Sequence, residues 1–421
     1  MNEYLPVGLP VKVSVLQKAD RWVFAPICFL LTLVRRARDL FQEKQPVTFR
    51  NILLVKLAEQ GSTVLATAAI RKAVQTVGKE NVYFAVFEEN RFILDVMQLI
   101  PEKNILTVPT NSIGAMIFGS IRMLAVMRKI GFDVAVDLEF FARFSAAITY
   151  LSGAKWRSGM HAYFSEGPYR GDLMTHRVLY NPHLHTTEMF YAMVTALSFP
   201  VEVFPTFNIA PQLQGEQPSL FEPSPEETSE VKALVCELTG LSSVPSLILL
   251  NPNAGDFLPL RRWPVERYAE LASRILQELP QAWVTFTGLA SEAAISEQLV
   301  RDIDSKRCFS LAGRTNLRQL LVLYTLSEVL VTNDSGPAHF ATLTPIHVIT
   351  LFGPETPNLF AARSPRNLVA YAGIACSPCI NALNNRQSAC RNNLCMKNIT
   401  VGDVFQKVCK AYSSRRGSGQ A

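Results

Sequence analysis

From residue 49 onward the chain alternates short apolar runs with stretches whose apolar residues recur at helical spacing. Asn51–Val55, Val82–Phe87, Ile105–Val108 and Val134–Leu138 read as strands. The helical patterns between and after them start near Ser62, cover Arg91–Leu99, run through Ile121 and run through Ala146. A polar stretch over 211–230 (PQLQGEQPSLFEPSPEETSE) interrupts this rhythm. The alternation then resumes with strands at Ser246–Leu250, Trp283–Thr287, Val329–Thr332 and Val348–Phe352. Over 264–277, Tyr268, Leu271, Ala272, Ile275 and Leu276 share one face of an amphipathic helix. Strands alternating with helices predict βαβ units and parallel sheets, whose ligands bind outside the carboxyl ends of the strands.

The pattern divides the 421 residues into an N-terminal extension (1–48), an α/β domain (49–210), a linker (211–245), a second α/β domain (246–412) and a polar tail (413–421). Two domains suit a chain of this length, at roughly 100–200 residues each. With 48% hydrophobic and 18% charged residues the chain can bury two cores, which excludes a disordered chain or a coiled coil. Two such domains across a cleft make a frequent small-molecule site.

The net charge of +6 gains meaning from its location. Residues 1–50 hold eight Lys/Arg against four Asp/Glu, so most of the excess lies in the first fifty residues, the extension and the entry to the first domain. The body has no basic stripe interleaved with aromatics, so nucleic acid is not an expected partner. Within the extension, the apolar run Trp22–Val34 meets Arg35-Arg36-Ala37-Arg38. It is shorter than the roughly 20 residues a spanning helix needs, and it lacks the layout of a signal peptide. Two readings stand side by side: residues 22–38 lie in a membrane interface, with the arginines on anionic headgroups, or the helix packs on its own first domain. Without a signal peptide, the expected compartment is the cytoplasm, at the inner face of the inner membrane, and a disulfide framework is not expected.

Four turn-rich segments follow predicted strands of the second domain: Asn251–Asp256, Thr287–Glu292, Thr332–His339 and Phe352–Pro357. In the third, an apolar strand leads into Asp334-Ser335-Gly336, and Pro337 suits a first helical turn. Free N–H groups and the helix dipole there make an anion site, with His339 one turn further on. The same residues also suit plain capping by Asp334 or Ser335. Arg261-Arg262 precede the amphipathic helix, where the dipole favours acids; a bound diphosphate would account for them, or they are a solvent-exposed arginine pair. The chain has no GxGxxG, GxxxxGK[ST] or HExxH, which disfavours nicotinamide, flavin, P-loop and zincin chemistry. Cys376, Cys379, Cys390 and Cys395 have a spacing that would serve a structural zinc, or they pack a reduced, Asn-rich loop.

Together these segments resemble the ADP-heptose:lipopolysaccharide heptosyltransferases, glycosyltransferase family 9, of the GT-B fold. The resemblance runs through 52–73, 133–160, 250–275, 310–320 and 329–357, and the last stretch is the most specific. It implies two Rossmann-like domains facing a cleft, with the acceptor on the first and a nucleotide sugar, an ADP-sugar, on the second. It also implies inverting transfer to a lipopolysaccharide or other lipid-linked envelope glycan, with no cofactor required. On this basis Ser335, Gly336 and His339 would contact the diphosphate, and Asp334 would lie near the donor sugar. Arg262 would steady the leaving group, Gly288 and Glu292 would border the ribose, and Gly313 the base.

One position departs from the family pattern. Where relatives carry Gly-Asp, the presumed base, this chain has Gly61-Ser62. A serine hydroxyl is no general base on its own. Glu59, in the same loop, is the expected replacement, with Asp137 and Glu139 as runners-up. Two other classes fit the fold: a nucleotide-sugar epimerase or hydrolase, and a nucleotide-sugar-binding relative that has lost catalysis.

Overall fold

The computed structural model describes residues 13–40, 49–201, 213, 218–255 and 258–417. Their chain forms two compact units. The N-terminal unit holds the described residues up to 213 together with 381–387, and the C-terminal unit holds 218–380 and 388–417. Residues 381–387, which the sequence assigns to the second domain, therefore pack with the first.

The N-terminal unit is built on strands β1 (Ile52–Val55), β2 (Val82–Phe87), β3 (Ile105–Val108), β4 (Val134–Asp137), β5 (Trp156–Met160) and β6 (His176–Val178). They form one parallel sheet in the order β3-β2-β1-β4-β5-β6. Ile52–Val55 and Val134–Asp137 are wholly buried, as strands covered by helices on both faces must be. On one face Leu53, Val55, Ala85 and Ala135 pack against Met123 and Met127 of helix Ile113–Ile130 and Ile148 of helix Arg143–Leu151.

The C-terminal unit repeats the design with β7 (Ser246–Asn251), β8 (Ala282–Phe286), β9 (Cys308–Ser310), β10 (Val329–Asn333), β11 (His347–Phe352) and β12 (Asn367–Tyr371). Its order, β12-β11-β10-β7-β8-β9, is the same arrangement counted from the other edge. Both are the doubly wound Rossmann order, in which the chain reverses direction beside the first strand and leaves a crevice there. That switch point is β1/β4 in one unit and β7/β10 in the other.

All eight strands expected from the apolar runs form. The strands that periodicity missed are β5, β6, β9 and β12, whose sequences WRSGM, HRV, CFS and NLVAY lack a long apolar run. Three other expectations are corrected. Helix Ile113–Ile130 continues past Ile121 and ends at Gly131, whose φ of +73° closes the last turn. The linker contains helix Pro225–Thr239, opened by a capping box in which Ser224 Oγ accepts the Glu227 N–H at 3.2 Å and Glu227 accepts the Ser224 N–H at 2.9 Å. Ser413–Gly417 are no polar tail but the end of helix Val401–Gly417, while 418–421 lie outside the described residues.

The N-terminal extension packs on its own unit. Helix Ala25–Asp39 buries Cys28, Thr32 and Arg35, with Cys28 against Ala146, Tyr150, Leu173 and Met174. Burial pushes the Cys28 thiol up to about 12. Arg35 pairs with buried Asp172 at 2.5 Å, and Asp20 accepts the backbone N–H groups of Arg143 and Phe144 at 2.8 and 2.9 Å. Phe29, Leu30, Leu33 and Val34 remain exposed on the opposite face. Among the described residues, no helix is long and apolar enough to cross a membrane.

Candidate active site

At the β1/β4 switch point the sequence offers three carboxylates, and the structure gives each a different environment. Asp137 is fully buried, bonded to the equally buried Arg170, and accepts a hydrogen bond from Ser145 Oγ at 3.0 Å. Burial pushes its carboxyl up to about 6, against the pull of Arg170. Withdrawn from solvent and held by Arg170 and Ser145, Asp137 offers no exposed surface to an acceptor hydroxyl, unlike Glu59. Glu139 is also occupied. It accepts the N–H groups of Leu57 and Ala58 at 2.9 and 3.0 Å and pairs with buried Lys56 at 3.1 Å, holding the loop that leaves β1.

Glu59 differs from both. Its side chain is 37% exposed, against 13% for Glu139, so it alone of the three offers a surface to a substrate. Its backbone sits at φ +66°, ψ +83°, a left-handed conformation costly for a side chain with a Cβ and found disproportionately at functional sites. The carboxylate pairs with Arg386, receives a hydrogen bond from Ser62 Oγ at 3.3 Å and lies 4.0 Å from Lys56 Nζ. Ser62 is thus an orienting hydroxyl beside the acid. Lys56 shows in the sequence as a charge at the end of an apolar strand. Arg386 gives no local signal, because it reaches Glu59 from 327 residues along the chain.

The C-terminal unit gathers the expected nucleotide residues on one rim. Asn333, fully buried at the end of β10, donates from Nδ2 to the carbonyls of Pro252 and Asn253 at 2.9 and 3.2 Å. Its Oδ1 accepts the Trp263 N–H at 3.0 Å. This one amide ties together the loops after β7 and β10 and the entry to helix Val265–Glu278. Ser335 occupies the N-cap of the short helix Gly336–Phe340 but does not cap it, since its hydroxyl donates to the Asn333 carbonyl at 3.1 Å. Both Asp334 and His339 are buried beside it.

Arg262 reaches the carbonyl of Gly255 at 3.0 Å, which sets its guanidinium beside the loop after β7. Asp256, the last residue of that sequence segment, lies outside the described residues. Neighbouring Arg261 turns inward, 3.3 Å from buried Glu355 and 3.7 Å from Asp334. The pair that looked alike in sequence thus divides into an anchor and a residue on the rim.

Gly288, Glu292 and Gly313 meet at the ends of β8 and β9. The Gly313 N–H donates to the Gly288 carbonyl at 3.0 Å, and Glu292 accepts the Leu289 N–H at 2.7 Å. A Cβ at Gly288 would come 2.8 Å from Asn253 Nδ2, which joins this corner to the loop that Asn333 holds. Gly313 has φ +74°, and a Cβ there would lie 2.8 Å from the Ala290 Cα. Gly313→Ala is expected to cost about 1–2 kcal/mol in thermal unfolding, from the left-handed backbone and the close approach together.

The four cysteines of the loop do not form a zinc site in this structure. Cys376 and Cys390 are exposed, Cys379 is half-buried and Cys395 is buried, and none of the four is in a disulfide. Among the described residues no three His, Cys, Asp or Glu side chains are grouped as metal ligands would be. Cys395 lies beneath the Gly353 turn, and burial pushes its thiol up.

Two Rossmann-like sheets of this order in one chain define a GT-B protein. The chain superposes on Escherichia coli ADP-heptose lipopolysaccharide heptosyltransferase II with a TM-score of 0.66 at 20% identity, covering 87% of this chain and 99% of the other. Residues 121–389 match the model of glycosyltransferase family 9 (heptosyltransferase), and the chain belongs to that family. Lipopolysaccharide heptosyltransferase 2 of Salmonella typhimurium is 34% identical over 145 residues, covering 34% of this chain and 40% of that protein. Its Escherichia coli counterpart is 28% identical over 220 residues, covering 51% of this chain. The aligned part spans 58% of that counterpart.

Proposed function

We propose that this protein transfers a heptose or similar sugar from an ADP-sugar to a lipopolysaccharide or related lipid-linked acceptor at a membrane surface on the cytoplasmic side. The observation that carries the reading is the rim of the C-terminal unit. Asp334, Ser335, Gly336, His339, Arg262, Gly288, Glu292 and Gly313 sit at adjoining strand ends around the β7/β10 switch point. Developing charge on the leaving diphosphate would be met by the backbone N–H groups at Ser335–Gly336 and by Arg262. Glu59 would take the proton of the acceptor hydroxyl as the sugar inverts, within about 3 Å of it in the reacting complex. These residues ask for no metal. The similar heptosyltransferases named above support heptose as the sugar, and the exposed apolar face of helix Ala25–Asp39, with Arg36 and Arg38, supports work at a membrane.

The test is calorimetry with a panel of nucleoside diphosphates and nucleotide sugars. ADP and ADP-sugars are expected to bind selectively. Arg262→Ala is expected to weaken that binding about tenfold or more, as loss of a charge-assisted contact does. No binding by any member of the panel would overturn the reading.

A further inference from the structure

Helix Ala25–Asp39 does not carry the exposed apolar surface of the N-terminal unit alone. On helix Ile113–Ile130, Ile113, Ile117, Phe118 and Ile121 are 55%, 59%, 70% and 61% exposed. Their spacing puts them on one stripe, opposite the buried Met123 and Met127. A soluble monomer scatters such residues singly, and a contiguous set marks an interaction surface.

The fold brings the two helices to the same side of the sheet. Ile113–Ile130 and Arg143–Leu151 both pack on the face formed by Leu53, Val55, Ala85 and Ala135. Helix Ala25–Asp39 lies outside Arg143–Leu151, through Cys28 against Ala146 and Tyr150. Both stripes also approach the carboxyl ends of the strands. Ile113 opens the helix that follows β3, and the extension is pinned to the start of the helix that follows β4 by Asp20. Beyond β5, the loop that carries Asp172, the partner of Arg35, also carries Phe164, which is 80% exposed. The apolar surface therefore borders the rim on which Glu59 sits.

The charges on this surface select its occupant. Helix Ile113–Ile130 contains no acid and exposes Arg122, Arg128 and Lys129. Helix Ala25–Asp39 exposes Arg36 and Arg38 against the single acid Asp39. Apolar stripes flanked by arginine and lysine, on helices too short or too charged to span, are what an anionic bilayer interface accepts.

We infer that helix Ile113–Ile130 and helix Ala25–Asp39 form one membrane-docking face for an anionic lipid bilayer. The two helices lie in its plane, and the strand-end rim of the N-terminal unit is brought to the headgroups. This rests on the proposed action at a membrane surface and deepens it, by assigning a second helix and an orientation.

The experiment is co-sedimentation of the full-length protein with vesicles of phosphatidylethanolamine and phosphatidylglycerol, with phosphatidylcholine vesicles alongside. Wild type is expected to partition onto the anionic vesicles. The double variant Ile117→Asp, Phe118→Asp and the single variant Leu30→Asp are each expected to partition about tenfold or more weakly. All three side chains are exposed, so an unchanged thermal melt and unchanged ADP titration would certify folding. Undiminished partitioning of the double variant would overturn the inference. So would a wild-type protein that ignores the anionic vesicles, and a dimer by light scattering that the double variant makes monomeric would assign the face to a second copy of the chain instead. No donor or acceptor is present, so failure here leaves the transferase reading standing, and failure of ADP binding leaves this result standing.

Discussion

Glu59→Gln is expected to leave ADP affinity unchanged and to lower turnover by about 100- to 10,000-fold, the range spanned by loss of a general base. The amide keeps the shape and can still accept from the Ser62 hydroxyl and from Arg386, so the loop keeps its hydrogen bonds while the ion pair to Arg386 is lost. The amide cannot take a proton. The same substitution at Glu139 disturbs a different property. That carboxylate braces the Leu57 and Ala58 N–H groups and Lys56, so Glu139→Gln should shift the melting temperature as well as the rate. Parallel titration and turnover of the two variants separate a base from a brace. Unchanged turnover in Glu59→Gln removes Glu59 from the role. ADP binding with no turnover in wild type, across the acceptors tried, would favour a binding protein that has lost its chemistry.

Arg170→Ala is expected to destabilise the N-terminal unit by about 3–5 kcal/mol in urea unfolding, the cost of leaving a buried charge without its partner. Arg170 also donates to the carbonyls of Glu139 and Phe140 at 3.2 and 2.6 Å, so its loss loosens the support of the Glu59 loop. The pH dependence has a definite sign. The folded Asp137 carboxyl is held up at about 6, above its ordinary 3.8. The native state therefore binds that proton more tightly than the unfolded chain, and ionisation costs stability as pH rises through this window. Without Arg170 the opposing pull is gone and the carboxyl moves further up. The deficit relative to wild type should widen between about pH 5 and pH 8. A deficit that narrows over that range would contradict the pairing.

Much of the candidate site was legible before any fold was known. The apolar strands located the turns that hold Asp334-Ser335-Gly336, Gly288 and Glu292; Arg262 stood out as a cation before a helix, and Gly313 came from the family resemblance alone. The capping box of Ser224 and Glu227 was equally legible, but a polar composition made it read as linker. The distinctions between look-alikes were not available. Asp137, Glu139 and Glu59 are three acids near strand ends, and their exposures of 0%, 13% and 37% separate them. Arg261 and Arg262 are adjacent, yet one turns toward buried acids and the other toward a loop carbonyl.

The amino-acid sequence by itself determined the two-unit α/β architecture, because strand and helix periods are local properties that each segment carries in its own spacing. It also located the turns that hold the candidate residues, since turn geometry selects Gly, Asn, Asp and Ser locally. Only the tertiary structure decided that Arg386 reaches Glu59, that Asn333 staples two loops, and that the extension buries one apolar face and exposes another. These depend on which distant segments meet and how deeply each group is withdrawn from water. Both are set by the packing of the whole chain, and no local pattern records them.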